Sequence, residues 1–160
     1  MRMLVLPAVA LSVLGLSSVA HAQGGMLFFE GDMERGNQAG APPACVLNNQ
    51  FLHLEKVVWR VRVRDATGKE LDDKGIKGVR VEMPDGQKIE GRYSGHPPRQ
   101  PTDTFWSVAW IIPEGYPTGT FAPKIVATDL EGKTHTWAPF NVSSSQLIVL
   151  DGKIELKKTN

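Results

Sequence analysis

The segment VVWRVRVRD, residues 57 to 65, constrains the fold more than any other stretch, because it alternates between two chemical classes. Trp59, Val61 and Val63 occupy every second position, and an arginine follows each of them. Successive side chains of a β-strand point to opposite faces of the sheet. We therefore expect a strand that buries Trp59 and the valines in a core and presents its arginines on the other face.

Two interpretations of Arg60, Arg62 and Arg64 stay open at this point. Side chains two positions apart on a strand lie roughly 7 Å from each other, so the guanidinium groups form a row. Such a row could bind anions through the planar donor groups of arginine. Alternatively, the row is a solvated face that pairs with acidic residues of a neighbouring hairpin, for instance Glu82 or Glu90. The second interpretation is the one we favour.

Turn signals divide the rest of the chain into short strand-like runs. The predicted strands are 45–51, 56–64, 77–83, 87–93, 104–112, 120–129, 133–141 and 145–150. The connections between them, such as DATGKELDDKG, PDG and LEGK, carry Gly, Pro or Asp at turn positions. This spacing predicts an all-β fold, an antiparallel β-sandwich of seven or eight strands over residues 45–150.

The residues on either side of the predicted sandwich differ from it in composition. Residues 23–44 are rich in glycine and end in a proline pair, so we expect a flexible N-terminal arm in which MLFFE forms at most a short edge strand. Residues 151–160 are expected to be a charged C-terminal tail.

The first 22 residues predict a secretory signal peptide, because Arg2 precedes an apolar run from Met3 to Leu16, and the segment ends in Ala20-His21-Ala22. The apolar run is shorter than the roughly 20 residues of a membrane-spanning helix. We expect cleavage after Ala22 and a soluble periplasmic product without a membrane span. Removing 22 residues from 160 leaves 138, with 17 basic and 17 acidic side chains because Arg2 is the only charge lost. This balance gives no electrostatic reason for binding nucleic acid.

Spaced turn and strand motifs recur over residues 51 to 142, at Asp65, Gly68, Lys69, Leu71, Pro84, Asp85, Gly86, Trp110, Pro113, Pro117, Gly119 and Phe121. With these motifs the chain resembles the extracytoplasmic immunoglobulin-like modules of bacteria, and it is especially similar to the second macroglobulin-like domain of bacterial alpha-macroglobulins. The resemblance implies an immunoglobulin-like form of the predicted β-sandwich. The layout also resembles small exported proteobacterial proteins of unknown function. The resemblance implies a fold rather than a reaction, and the chain lacks the Cys-Gly-Glu-Gln thioester segment of the protease-trapping proteins.

Cys45, His53 and His96 form the most plausible set of metal ligands in this sequence. Thiolate and imidazole groups suit copper(I) and haem iron. The chain has no C-x-x-C-H motif for covalent haem, so we expect no cofactor and keep a copper or haem carrier as the alternative function. Cys45 is the single cysteine of the chain, which leaves a buried side chain or an intermolecular disulfide, and hence a disulfide-linked dimer, as its other roles.

The segment RYSGHPPRQPTDTFW, residues 92 to 106, is expected to be a long loop between two strands, and this loop is the favoured binding site. Its three prolines restrict the backbone and so reduce the conformational entropy that binding would cost. The candidate binding residues are His96, Arg99, Asp103, Phe105 and Trp106. Their mixture of polar groups and aromatic rings suits a polar partner, although Phe105 or Trp106 could instead fill the core.

No sequence motif for catalysis accompanies this segment. The chain lacks G-x-S-x-G, H-E-x-x-H and a phosphate-binding loop. We therefore expect a non-catalytic binding or accessory module that presents residues 92–106 to a periplasmic protein or a small ligand.

Overall fold

The computed structural model describes residues 25–38, 46–138 and 145–156, and these residues form twelve β-strands. The strands are β1 (Phe28–Arg35), β2 (Val46–Leu47), β3 (Gln50–His53), β4 (Lys56–Arg64), β5 (Gly78–Glu82), β6 (Lys88–Glu90), β7 (Arg92–His96), β8 (Asp103–Ile111), β9 (Gly119–Phe121), β10 (Lys124–Thr128), β11 (Thr134–Trp137) and β12 (Leu147–Lys153). Cys45 and the predicted signal peptide lie outside the described residues. Within the described ranges, no helix has the length and apolar character needed to cross a membrane.

The strands form three sheets around one hydrophobic core. The five-stranded sheet has the order β2-β1-β4-β8-β7, the four-stranded sheet β11-β10-β5-β6, and the three-stranded sheet β3-β12-β9. All pairings are antiparallel except that of β12 with β3. The predicted all-β sandwich is confirmed, while the immunoglobulin-like strand count stays a prediction. The strands outnumber the predicted runs partly because 87–93 and 120–129 are each divided between two sheets.

Strand β4 has the bounds and the two faces that its sequence predicts. Val57, Trp59, Val61 and Val63 are buried, and the intervening side chains lie on the opposite face. The indole of Trp59 stacks on that of Trp110 with ring centroids 6.4 Å apart. Because burial of each large apolar side chain contributes about 1.5–3 kcal/mol, these four side chains make β4 a substantial source of core stability.

Strand β1 corrects the prediction of a flexible arm. Residues 28–35 pair with β4 on one side and with β2 on the other, so they lie inside the sheet. The register places Glu30 opposite Arg62 and Asp32 opposite Arg60. Opposite charges facing each other across antiparallel strands stabilise the pairing. The alternating acidic residues of β1 are therefore the counterpart of the arginine row.

The predicted C-terminal tail is also partly wrong. Strand β12 extends to Lys153, since its second half continues alongside β3 after a shift of register. The amide of Ile154 then donates to the carbonyl of His53.

Gly91 alone connects β6 of the four-stranded sheet to β7 of the five-stranded sheet. A Cβ at this position would lie 2.7 Å from the carbonyl oxygen of Val79 and 2.8 Å from Cγ2 of Val108. The chain thus passes between the sheets where only glycine fits.

The substitution Gly91→Ala should therefore destabilise the protein by about 1–3 kcal/mol, because overpacking forces backbone shifts. Gly78→Ala is the matched control, since a Cβ there meets nothing within 4 Å. Urea unfolding of both variants measures the difference. Equal urea midpoints for the two variants would show that the backbone around residue 91 accommodates a Cβ without loss of stability.

Candidate functional site

The candidate site is the outer face of the five-stranded sheet, which we define as the side of β1, β4, β8 and β7 turned away from the core. Cross-strand pairs fix its layout. On β7 and β8, Arg92 lies opposite Ser107, Ser94 opposite Phe105, and His96 opposite Asp103. The arginines of β4 lie next to this block, on the side of β1.

Arg60 anchors the charges at the centre of the outer face. Its Nε and Nη2 donate to the two carboxylate oxygens of Asp32 at 2.7 and 2.6 Å, and its Nη1 lies 3.2 Å from Oε2 of Glu34. Glu34 is only 5% exposed, and burial raises the pKa of its carboxyl, while the charge of Arg60 acts in the opposite direction. Arg60 therefore compensates a buried carboxylate.

Arg62 and Arg64 complete the ion-pair network. Arg62 donates to Asp103, to Glu70 at 3.3 Å and to the carbonyl of Thr104 at 3.2 Å. The hydrogen bond from Arg62 lowers the pKa of the Asp103 carboxyl below its ordinary value. The interpretation of the arginine row as an acid-paired face is confirmed. The partners named from the sequence, Glu82 and Glu90, are wrong, because they lie on β5 and β6 of the other sheet.

Phe105 lies at the centre of the outer face and is nevertheless only 8% exposed. The guanidinium carbons of Arg60 and Arg62 each lie 6.0 Å from its ring centroid. The ring of His96 covers it from a third direction, with centroids 5.7 Å apart. Together with the ion pairs of the arginines, these cation–π and ring contacts restrict the rotamers of the side chains around Phe105 before any ligand binds.

Two depressions open on the outer face. The first, of about 340 Å³, is lined by the paired charges of Asp32, Arg60, Arg62 and Asp103 and by Phe105. The second, of about 510 Å³, runs along β7, and we call it the β7 groove. Its polar lining residues are Glu34, Asn37, Lys56, Glu90, Arg92, Ser94, His96 and Ser107.

The structure divides the predicted binding residues into two groups. His96, Asp103 and Phe105 meet on the outer face, and Arg99 lies exposed in the connection 97–102. Trp106 corrects the prediction, since it faces the core, is 3% exposed and donates from Nε1 to the carbonyl of Leu71 at 2.9 Å. Much of the segment 92–106 is also strand rather than loop, because β7 and β8 form a hairpin.

The proposed metal ligands are not brought together among the described residues. His53 lies on β3, where Nδ1 is 2.8 Å from the carbonyl oxygen of Gly152 and Nε2 is 2.7 Å from that of Tyr116. His96 lies on β7 against Phe105. The described residues contain no group of three or more His, Cys, Asp or Glu side chains that could hold a metal ion, and Cys45 lies outside them.

Arg92, Ser94 and Ser107 are site residues that the sequence argument missed. The signal was present in the alternation Arg-x-Ser-x-His of residues 92–96, which places three polar side chains on one face of a strand. This alternation was hidden because the segment was interpreted as a long loop.

A separate apolar cleft of about 240 Å³ lies among residues 25–27, 65–76 and 129–131. His135 lines it and pairs with Asp129, with Nε2 and Oδ2 2.9 Å apart. The hydrogen bond from His135 lowers the pKa of the Asp129 carboxyl. The two side chains are therefore hydrogen-bond partners of each other in this cleft.

Removal of the central charge tests the role of Arg60. We expect Arg60→Gln to reduce the free energy of unfolding by about 1–3 kcal/mol at pH 7, because Glu34 is left buried without its counter-charge. The loss should be smaller at pH 4, since Glu34 then takes up a proton. Arg64→Gln is the control, because its partner Glu30 is exposed and such pairs contribute little. Equal losses at both pH values would contradict this role.

His53 predicts a pH dependence of stability. Only the imidazolium can donate to both carbonyls, and these two hydrogen bonds, that to Tyr116 first, raise the pKa of His53. A raised pKa in the folded state means that the stabilisation is complete below the ordinary histidine pKa and is lost as pH rises through the folded pKa. The difference in melting temperature between the native protein and His53→Gln should therefore be largest near pH 5 and shrink above neutrality. A difference that grows with pH would refute the assignment.

No protein-family model and no curated protein matches the sequence. Among solved structures, the chain is similar to SGBP-B of the Bacteroides ovatus mixed-linkage glucan utilization locus, determined with a mixed-linkage heptasaccharide. The identity is 11%, the TM-score is 0.26, and the match covers 78% of this chain and 38% of that chain. A similarity at this level carries no argument about the ligand of this protein.

Proposed function

We propose that this protein is a non-catalytic binding module of the periplasm that engages a partner with the outer face and the connection 97–102. The observation that carries the proposal is the fixed arrangement around Phe105. Arg60, Arg62 and His96 cover its ring, and Asp32 and Asp103 hold the two arginines. A surface whose side chains are already immobilised loses little entropy on binding.

The connection 97–102 supports the same proposal. The side chain of Pro101 fills the space where Gly95 has no Cβ, since a Cβ there would lie 2.5 Å from two of its atoms. The amide of Thr102 donates to the carbonyl of His96. These contacts fix the exposed Arg99 and Pro98 next to the β7 groove.

The chemistry of the face favours binding over catalysis. Arg60 and Arg62 are engaged with carboxylates, and the ring contact of His96 is with Phe105 rather than with a nucleophile. Among the described side chains of the two depressions, Ser94 and Ser107 carry hydroxyls without a hydrogen bond to a histidine that would activate them.

Site-specific photo-crosslinking tests this function in cells of the organism that makes the protein. A photoreactive residue at Arg99 or Ala109 should give adducts with a partner, because both positions are exposed on or beside the outer face. Thr136, which is exposed on β11 of the other sheet, is the control position. Native mass spectrometry of the purified protein detects a small ligand in place of a protein.

Replacement of residues 97–102 by an Asn-Gly turn should abolish the adduct or the bound mass. A two-residue turn of this type closes a hairpin, so β7 and β8 should keep their pairing. Adducts from Thr136 equal to those from Arg99, or neither adduct nor bound mass, would overturn the proposed function.

A further inference from the structure

Strands β7 and β8 present hydrogen-bond donors that have no partner among the described residues. Arg92 is exposed, and its guanidinium has no ion-pair or hydrogen-bond partner in the part of the chain that the structure describes. The same holds within those residues for the hydroxyls of Ser94 and Ser107. The other arginines of the outer face are all paired, so Arg92 differs from its neighbours.

These three side chains converge on one place in the β7 groove. Arg92 lies directly opposite Ser107, and such cross-strand pairs have Cβ atoms about 4.5–5.5 Å apart. Ser94 follows Arg92 on the same face at roughly 7 Å. A planar guanidinium flanked by two hydroxyls is a donor set suited to a carboxylate.

The local charge favours an acidic partner. Residues 92–102 carry Arg92, His96 and Arg99 and no acidic side chain, and the next acid, Asp103, is engaged by Arg62. In the groove, Glu34 is engaged by Arg60, and Lys56 donates to the carbonyl of Asn37. Glu90 is the remaining carboxylate of the lining. Ligand carboxylates would therefore compete with Glu90 alone for Arg92.

The backbone of β7 is also available. β7 is the terminal strand of its sheet, and the one backbone hydrogen bond that it makes outside its ladder, within the described residues, runs from Thr102 to His96. An extended peptide can add a strand to such an edge, with side chains that alternate into pockets on one face.

We propose that the edge of β7 binds an extended acidic segment of a partner protein, whose carboxylate side chain lies against Arg92 and Ser94, while Ser107 flanks Arg92 from β8. This inference rests on the proposed function and adds the chemistry of the partner. The added strand continues the five-stranded sheet, and the carboxylate supplies the counter-charge that Arg92 lacks.

The test uses the peptide acetyl-Thr-Val-Glu-Val-Thr-amide and its Gln counterpart, titrated into the mature protein and followed by amide-resolved NMR. The Glu peptide should shift the amides of residues 92–96 and bind at least about tenfold more tightly than the Gln peptide, as loss of a charge-assisted hydrogen bond requires. Arg92→Gln should remove this preference, and Glu90→Gln should strengthen binding severalfold. Lys124→Gln, an exposed charge change on β10, should leave the affinity unchanged.

Several outcomes would overturn the inference. They are equal affinity for the two peptides, an unchanged preference in Arg92→Gln, and shifts confined to another sheet edge. Inorganic phosphate that displaces the Glu peptide from Arg92, with no response of the β7 backbone to either compound, would assign the groove to small anions instead. Position-specific crosslinks without binding of the Glu peptide would leave the proposed function standing and reject the acidic segment.

Discussion

The charge ladder between β1 and β4 is the interaction on which the arrangement of the outer face depends. β4 buries Trp59 and its valines on one side, so a slip of one residue would carry its arginines into the core. The acids of β1 match the arginines in the correct register, with Asp32 opposite Arg60. The hydrophobic pattern and the ion pairs therefore specify the same register between β1 and β4. A register that satisfied only one of them would be destabilised by the loss of the other.

The charge ladder between β1 and β4 also determines which polar groups of the outer face can bind a partner. Because carboxylates hold Arg60 and Arg62, the two guanidinium groups stay over Phe105 and keep its ring covered. The face thus offers an ordered polar surface instead of an exposed aromatic platform. The donors without a partner among the described residues, Arg92, Ser94 and Ser107, lie beyond β4, on β8 and on the edge strand β7.

The two-residue period of β4 predicts that strand and its faces because the information is local. The sequence of β8 places Phe105 and Trp106 on opposite faces, but it does not say which ring faces the core. That choice follows from register with β4, which sets Trp106 opposite Val61. The partners of the arginines were misassigned for the same reason, since Asp32 lies 28 positions from Arg60. The role of His53 depends on a carbonyl 99 positions away and leaves no local signal.

The parallel pairing of β3 with β12 has a consequence for how the chain folds. It joins segments from the two ends of the described fold, and the bond from His53 to Gly152 spans 99 positions. Contacts between residues so distant in sequence carry a high loop-closure entropy, and they form after local hairpins such as β7–β8 have reduced the effective length of the chain. The three-stranded sheet is therefore expected to form last. The part of the core around Phe51 and Leu147 should accordingly be the last to exclude water.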